Sequence, residues 1–337
     1  MFKMFKKLKI KKLFRISIFE FRAFKLIAVM LLIAIPIAYT GIFLFSKYQP
    51  IPSAHAAWYA PDWDYRQQIT IDHTKVANTD QTDFPVLIKI TDENNPIFDN
   101  TQADGDDILF TGSDETTKLS HEIETLDATS HQFWAWVKVP SLSHDSNTIL
   151  YMYYGNSSAT NQQNASGVWS NGYVGVWHLN EIGTGSAGDY KDSTSNANNS
   201  TNTTDQPTAT EGKINGGESF NGTTKYIDIL KDSSLDITEA PLSVFAWIKP
   251  AVGAGSGYPF EINTSSAGDR QYGFYWSNNN NIVPTVPGDV AQSSIPSVPT
   301  NSFSLVGFVW SASKNVQSYV NGAASGSSAS NGRYPVN

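Results

Sequence analysis

Two glutamates and two tryptophans in the middle of the chain have the residue types and the spacing that catalysis or ligand binding requires. Glu122 and Glu124 are two residues apart on an expected strand, so their carboxylates leave one face of that strand about 6.5–7 Å apart. This separation is close to that of the acid and base pairs that cleave glycosidic bonds. Trp134 and Trp136 share a strand face in the same way, and such rings can stack on sugars.

Ordinary structural roles also explain both pairs. Like charges on a solvated strand face need no catalytic role, and the chain lacks the Glu-x-Asp-x-x-Glu run of jelly-roll glucanases. Aromatic side chains on sheets are chiefly core material. We therefore predict no catalytic residue. Glu122 and Glu124 are the only weak candidates for a catalytic role. Trp134 and Trp136 are the candidate ligand-binding residues, with packing as the alternative.

A third set of polar residues has the chemistry of a cation site. Asp192, Asn196 and Asn198 place one carboxylate and two amide groups on a short loop, and oxygen ligands of these types suit Ca²⁺. The alternative is a loop held together by hydrogen bonds of Asp and Asn side chains to the backbone. The sequence thus predicts either structural calcium or a self-bonded turn at this loop.

These candidates sit on a chain whose pattern is that of an all-β protein. After residue 45, short alternating apolar runs recur between clusters of Gly, Pro, Asn and Asp, and no long period of 3.6 residues appears. Asn-Gly pairs mark several turns, because tight hairpins need positive φ values. The predicted strands are 65–71, 84–90, 107–110, 133–139, 149–154, 175–179, 226–230, 242–249, 272–276, 303–310 and 316–320.

The first 57 residues predict export. Residues 1–25 are strongly basic, which keeps this end in the cytoplasm, and residues 26–45 form an apolar run long enough for a transmembrane or signal helix. Residues 46–57 make a linker in which Ala54 and Ala56 fit the A-x-A pattern read by signal peptidase. The chain is thus expected to be released by cleavage after residue 56, or to stay anchored in the membrane by the uncleaved helix.

The charge of the exported part limits its partners. Ten of the 23 Lys and Arg residues and one of the 31 Asp and Glu residues precede Ala57, which leaves 13 positive against 30 negative side chains and a net charge of −17. Such a field repels nucleic acid and anionic lipid. The chain has no cysteine, so disulfides and thiolate metal sites are excluded. A neutral partner or a divalent cation fits this balance.

Residues 58–159 resemble a known exported module, catalogued as domain of unknown function 2341. Five landmarks occur in the order of that family, and the resemblance implies a β-rich extracytoplasmic module without an assigned activity. The landmarks are Trp63-Asp64-Tyr65-Arg66, Asp104-Gly105-Asp106-Asp107-Ile108, His121-Glu122-Ile123-Glu124, Trp136-Val137-Lys138-Val139-Pro140 and Tyr153-Tyr154-Gly155-Asn156.

Residues 168–337 resemble the laminin-G-like branch of the concanavalin A-like jelly rolls. The matching runs are 176–181, 192–198, 217–222, 243–250 and 319–322. The resemblance implies a second β-sandwich, and relatives in this group often hold structural calcium at the loop that corresponds to 192–198. Their closing strand, with an Asp-Glu pair after a Gly, has no counterpart before Asn337. We therefore expect a jelly roll that is incomplete at its carboxyl end.

The expected organisation is two β-sandwich domains behind one N-terminal helix, joined by a linker at 160–167. The expected function is that of a non-catalytic exported protein of the cell envelope or surface, or a secreted one, which binds carbohydrate or mediates adhesion. One alternative is a glycan hydrolase or its accessory fragment, and another is a passive structural component of the envelope. The expected partners are a glycan or another cell-surface ligand and, if the helix is uncleaved, the membrane; nucleic acid is excluded.

Overall fold

A computed structural model describes residues 2–7, 59–76, 79–201, 204–263, 270–277, 279–287, 289–290 and 297–330. The described chain is all-β, as the sequence predicts. It divides into two compact units whose boundary lies between Asn171 and Gly172. We call residues 59–171 the first unit, and residues 2–7 together with 172–330 the second unit.

Most of the predicted leader lies outside the described residues. This holds for the apolar run at 26–45 and for the segment 46–57 with its cleavage position after Ala56. Of the basic segment 1–25, the structure describes the backbone of Phe2–Lys7, which forms a strand. None of the helices in the described part of the chain has the length and apolar character needed to cross a bilayer.

The strands are numbered in chain order, and two four-residue helices, α1 (Ile97–Asn100) and α2 (Ala165–Val168), accompany them. The strands are β1 (Phe2–Lys7), β2 (Tyr65–Ile71), β3 (Gln81–Ile90), β4 (Leu109–Thr111), β5 (Lys118–Leu119), β6 (His121–Asp127), β7 (Gln132–Leu142), β8 (Thr148–Tyr154), β9 (Thr208–Glu211), β10 (Gly216–Ser219), β11 (Leu242–Ile248), β12 (Gly257–Asn263), β13 (Arg270–Trp276), β14 (Ile282–Val286), β15 (Asp289–Val290), β16 (Ser304–Trp310), β17 (Asn315–Val320) and β18 (Ala323–Ser330).

The first unit is built from two antiparallel sheets with strand orders β2-β8-β4-β5 and β3-β7-β6. Burial alternates along β2, and apolar residues of paired strands face each other, so that Ile69 lies opposite Leu150 and Ile88 lies opposite Ala135. This period of two follows from the pleat of a strand, which sends successive side chains to opposite faces. The other face of the β3-β7-β6 sheet carries Glu122 and Trp136.

Residues 160–171 pack on the first unit. The Asn164 backbone N–H donates to the His121 carbonyl at 2.8 Å, and the Gln163 side-chain oxygen accepts from the Ile123 N–H at 2.7 Å. Trp169, directly after α2, is buried. The structure therefore places the boundary four residues beyond the predicted linker at 160–167, because this segment has apolar and polar partners on β6.

The second unit has a five-stranded sheet, β1-β11-β16-β17-β18, and a four-stranded sheet, β12-β13-β14-β15. Buried residues of both sheets form one apolar core, with Val244 and Phe308 from the first and Phe274 and Ile282 from the second. The β17–β18 hairpin turns at Asn321 and Gly322, with φ values of 49° and 76°. Such paired positive φ values are what an Asn-Gly turn supplies.

Two segments of the second unit that were predicted as strands do not form strands in the described structure. Residues 175–179 and 226–230 form only single bridges, Trp177 with Asp192 and Ser200 with Ile229. Trp177 and Leu179 of the first segment still join the core, whereas Tyr226 and Leu230 of the second are exposed. Burial of the apolar run at 175–179 therefore occurred without the backbone pairing that a strand needs.

Candidate functional site

The outer face of the β3-β7-β6 sheet brings together the two predicted glutamates and the two predicted tryptophans. Glu122 lies directly opposite Trp136, and Trp134 lies opposite Thr125. An irregularity in register between Ile123 and Thr125 leaves Glu124 at a bulge. All four predicted side chains of the first unit are therefore neighbours.

The two carboxylates act as acceptors for buried indole N–H groups. Trp136 donates its Nε1–H to Glu124 at 2.6 Å, and Trp169 donates its Nε1–H to Glu122 at 2.5 Å. The two indole rings touch edge to face, with centroids 5.2 Å apart. A buried indole needs an acceptor, so these bonds give Glu122 and Glu124 a structural role. The absence of a catalytic residue stays a prediction.

Neither predicted tryptophan presents an open ring to solvent. Trp136 is 4% exposed beneath Trp169, which leaves no room for a sugar on its face. Trp134 is half-buried, and the Lys89 ammonium lies 4.2 Å above its ring. This arrangement is that of packed aromatics with a cation–π contact. Ligand binding at Trp134 and Trp136 stays a prediction, and the geometry favours the packing alternative.

The loop that carries the predicted cation ligands is tightly bonded to itself. The Asp192 carboxylate accepts four hydrogen bonds of 2.8–3.0 Å, from the backbone N–H groups of Val176, Thr194 and Asn198 and from the Thr194 hydroxyl. Each carboxylate oxygen thus has two donors, which fills its lone pairs. The side-chain amides of Asn196 and Asn198 donate to the backbone of residue 174.

A Ca²⁺ ion does not fit this arrangement, because the one carboxylate of the set faces donors rather than open space. The described residues also contain no group of three or more His, Asp or Glu side chains that could hold a metal ion. The hydrogen bonds connect residues 174–176 to the loop at 192–198. The geometry therefore favours the self-bonded turn, and calcium at Asp192, Asn196 and Asn198 stays an untested prediction.

A face that sequence reasoning missed lies on the outward side of the β12–β15 sheet. Tyr258 and Tyr275 have ring centroids 5.1 Å apart, and Tyr258 is 37% exposed. Gly273 lies between Glu261 and Thr285 in register. A Cβ on Gly273 would lie 2.9 Å from the Glu261 Cα, so the glycine allows the strands to approach closely.

Two polar side chains continue this face. Gln271 and Thr285 are 5% and 7% exposed, and neither Gln271 Oε1 nor Thr285 Oγ1 has a hydrogen-bond partner in the described part of the chain. The Gln271 amide is held in place by a hydrogen bond from its Nε2 to the Asp236 carboxylate. We call Tyr258, Tyr275, Gln271 and Thr285 the tyrosine face. It combines an aromatic surface with oxygen atoms that can accept hydrogen bonds.

The sequence carries only part of the signal for this face. In β13, Tyr272, Phe274 and Trp276 enter the core, whereas Gln271, Gly273 and Tyr275 alternate with them. Strand β12, which carries Tyr258, was not predicted, and Pro259 interrupts its apolar pattern. A strict period of two would have placed Tyr258 with Phe260 and Ile262 on the core face. The register shift between Gly257 and Phe260 instead brings Tyr258 to Tyr275, and no sequence pattern reports that shift.

Comparison with known proteins identifies both parts of this tandem β-sandwich protein. A family model described as Domain of unknown function 2341 matches residues 104–181, and a model described as Concanavalin A-like lectin/glucanases superfamily matches residues 221–337. No curated protein and no solved structure matches the chain. The predicted order, a module of unknown function followed by a concanavalin A-like domain, is confirmed.

The matched ranges differ from the compact units. The first match continues to residue 181 and so includes 176–181, which resembled the opening of the jelly roll and which the structure assigns to the second unit. The tyrosine face lies within the second match. Domains of the concanavalin A-like and laminin-G-like class point to carbohydrate binding or adhesion in general, and to an extracellular protein.

Proposed function

We propose that the chain is a non-catalytic exported protein that binds carbohydrate at a cell surface through the tyrosine face. The main support is the contact between the rings of Tyr258 and Tyr275 on a sheet of the concanavalin A-like domain. Tyr258 is partly exposed to solvent. Aromatic surface of this kind stacks on the apolar faces of sugar rings. The proposal replaces Trp134 and Trp136 by two tyrosines as the first residues to test.

The rings of the tyrosine face, rather than its polar atoms, support the proposal. Gln271 and Thr285 lie on the same face as the rings, but their unpartnered oxygens are enclosed, so the binding energy is expected from the two tyrosines. The net charge of −17 after residue 56 favours neutral over acidic glycans.

The leader supports export. A basic segment, an apolar run of twenty residues and an A-x-A pattern occur in that order before Ala57. Release by cleavage after residue 56 would give a secreted protein, and an uncleaved helix would tether it to the membrane. Intact-mass analysis of the exported protein distinguishes the two, since a chain that begins at Ala57 excludes the tether.

Glycan-array screening of the exported chain, followed by calorimetry with the best ligand, tests the proposal. Tyr258→Ala and Tyr275→Ala should each weaken binding about tenfold, which corresponds to about 1.4 kcal/mol. Tyr226→Ala is the matched control, because Tyr226 is a half-exposed tyrosine of the same unit away from this face. Equal affinities for all three variants would remove the tyrosine face from the proposal.

The same screen distinguishes carbohydrate binding from the two alternatives, a glycan hydrolase and a passive envelope component. A glycan hydrolase would release reducing sugar from a bound glycan, and Glu122→Gln would abolish that release. A passive envelope component would bind no glycan at all. The indole bonds at Glu122 and Glu124 provide no support for hydrolysis, because both carboxylates already serve buried donors.

A further inference from the structure

A loop of the second unit holds a hydroxyl, a carboxylate and a carboxamide in contact with one another. The Asp189 carboxylate accepts a hydrogen bond from the Thr184 hydroxyl at 3.0 Å through Oδ1, and one from the Gln206 side-chain amide at 2.9 Å through Oδ2. Gln206 is 17 residues beyond Asp189, so the fold brings these groups together. A hydroxyl, a proton acceptor and an acyl carbon are the groups that an acyl transfer requires.

The carbonyl oxygen of the same carboxamide has a backbone donor. Gly185, which directly follows Thr184, donates its N–H to Gln206 Oε1 at 2.9 Å. A donor at this distance stabilises the negative charge that develops on a carbonyl oxygen when a nucleophile attacks the carbon. The Gln206 amide is therefore fixed at both its oxygen and its nitrogen, and its nitrogen shares the Asp189 carboxylate with the Thr184 hydroxyl.

Packing confines the Gln206 side chain to this position. Gln206 is only 8% exposed, and its amide lies against the backbone at Gly183, where an added Cβ would be 2.9 Å from Gln206 Cδ. The Tyr190 hydroxyl borders the same glycine, since that Cβ would lie 2.5 Å from it, and the Tyr190 side chain is fully buried. Water thus has little access to the amide.

The carboxylate between the two groups is ionised at all but very acidic pH. The hydrogen bond from Gln206, followed by smaller ones from the loop, lowers the pKa of Asp189 to about 2. Such a carboxylate is a weak base, but it contacts both the hydroxyl oxygen and the amide nitrogen. It can therefore transfer a proton from the attacking oxygen to the departing nitrogen without having to keep it.

We propose that Thr184 and Gln206 form an intramolecular ester bond. The Thr184 oxygen attacks the Gln206 amide carbon, and its proton passes to the Asp189 carboxylate. The Gly185 N–H stabilises the tetrahedral oxyanion. When this intermediate collapses, the C–N bond breaks, and the nitrogen takes the proton from Asp189 and leaves as ammonia. One C–O bond thus replaces one C–N bond, and no oxidant, metal or other reactant is consumed.

The ester would fasten a part of the second unit that has little strand pairing. The described residues between 175 and 207 form single bridges instead of strands, and the chain has no cysteine for a disulfide. A covalent bond that closes a loop of about twenty residues restricts the unfolded chain and so stabilises the folded one. The ester needs no residue of the tyrosine face and therefore does not depend on carbohydrate binding.

A turn held by hydrogen bonds alone is the competing explanation. The Asp189 carboxylate also accepts from the backbone N–H groups of Thr184 and Ser186, at 2.7 and 2.9 Å, and Asp side chains often close turns in this way. The turn and the ester have the same residues in contact but differ in mass, because the ester has lost one ammonia.

The test is mass spectrometry of the whole exported chain after incubation near neutral pH until its mass is constant. Formation of the ester should lower the mass by about 17 Da, the mass of the ammonia that leaves. Trypsin cuts after Lys191 and so separates Thr184 from Gln206, unless the ester keeps their two peptides together. Mild alkali should then release the two peptides and leave a carboxylate at position 206.

Variants of the three side chains identify the nucleophile and the proton carrier. Thr184→Ala should abolish the loss of mass, whereas Thr184→Ser should retain it, because serine keeps the hydroxyl. Asp189→Asn should slow the reaction at least tenfold. Ser186→Ala is the matched control, since its hydroxyl lies 3.1 Å from that of Thr184 but takes no part in the transfer. It should form the ester like the natural chain.

Stability provides a second readout. The natural chain, Thr184→Ser and Ser186→Ala should melt about 10 °C above Thr184→Ala, because only the last lacks the cross-link. If Thr184→Ala does not fold, the peptide map of the natural chain decides the question by itself. Full mass of the natural chain, with the Thr184 and Gln206 peptides separate, overturns the proposal. A carboxylate at position 206 without a linked peptide also overturns it, since water would then be the nucleophile.

Discussion

The two units treat their buried carboxylates in opposite ways. In the first unit, Glu122 and Glu124 accept indole N–H groups, and Glu115 accepts from Arg66 and from the Tyr153 hydroxyl. In the second unit, burial raises the pKa of Glu218 to about 7, and the Tyr190 hydroxyl acts on its carboxylate in the opposite direction as a hydrogen-bond donor. The difference indicates that the acidic residues of the first unit hold its architecture, whereas burial keeps a proton on Glu218 of the second unit up to near neutral pH.

The comparison extends to the aromatic residues. Trp136 and Trp169 of the first unit cover each other and are almost fully buried, whereas Tyr258 of the second unit leaves more than a third of its surface exposed. Residue type alone would rank the tryptophans above the tyrosines as sugar platforms. Exposure reverses that order, because a ring can stack on a ligand only if the ligand can reach it.

The largest effect is expected from removal of the Trp136 indole, which donates to Glu124 and packs against Trp169. Trp136→Ala should lower the free energy of unfolding of that unit by about 3–5 kcal/mol, because it leaves a cavity and takes the N–H donor from Glu124. Hydrogen exchange read by mass spectrometry reports on each unit separately. Trp134→Ala is the control and should cost less than half as much, since Trp134 is only half-buried.

The next effect is an acid sensitivity confined to the first unit. Burial lowers the pKa of His121 to about 4, so the folded unit holds a neutral imidazole where the unfolded chain is charged. Its free energy of unfolding is unaffected above about pH 6.5 and should fall by up to about 3 kcal/mol as the pH falls from about 6.5 to about 4.

Hydrogen exchange of first-unit peptides at pH 4 and pH 7, with His121→Leu for comparison, measures this effect. The variant should lose most of the pH dependence. His144→Gln is the control, because His144 is a more accessible histidine whose hydrogen bond with Asp80 raises its pKa. A first unit equally protected at both pH values would contradict the neutral imidazole.

A moderate effect is expected at the loop that was predicted to bind calcium. Asp192→Ala leaves buried backbone N–H groups of Val176 and Asn198 without an acceptor and should destabilise the second unit by roughly 2 kcal/mol. Since the carboxylate serves the backbone, the loss should be the same with calcium and with a chelator. A loss seen only with calcium would restore the metal interpretation of this loop.

The smallest effect has the opposite sign to that of His121. Because the pKa of Glu218 is raised to about 7, its folded form keeps a proton that the unfolded chain loses near pH 4.5. Stability from this group is fully present below pH 4.5 and is lost as the pH rises through 7. Protection of second-unit peptides should decline over that range, and Glu218→Gln should remove the decline. The same decline in the variant would assign it to another group.

The sequence predicted the strands of the molecule well where an alternating or largely apolar run is not interrupted by proline. The bounds of β2 were predicted as they occur, and β11, β16 and β17 differ by one residue at an end. Strands β12 and β14 were missed, and each has a proline that interrupts its pattern. Residues 175–179 show the converse, since an apolar run was buried there without strand pairing.

The candidate site was predicted only in part. A period of two placed Glu122 and Glu124 on one face of a strand, and Trp134 and Trp136 on one face of another. The pairing of β6 with β7, which the sequence did not predict, brings the two pairs together. The partner that decides their role, Trp169, is 47 residues further along the chain than Glu122. No local pattern reports such a contact, and the same is true of Thr184 and Gln206, which come together from separate segments.

The sequence by itself thus determined the acidic, cysteine-free, all-β character of the chain and the family order of its two parts, because composition, period and motif order are properties of consecutive residues. Tertiary structure alone decided which carboxylates and rings are available to a ligand. Availability depends on whether a distant segment supplies a donor or covers a ring. At Glu122 and Trp136 a distant segment does so, and at Tyr258 the described residues leave the ring partly exposed.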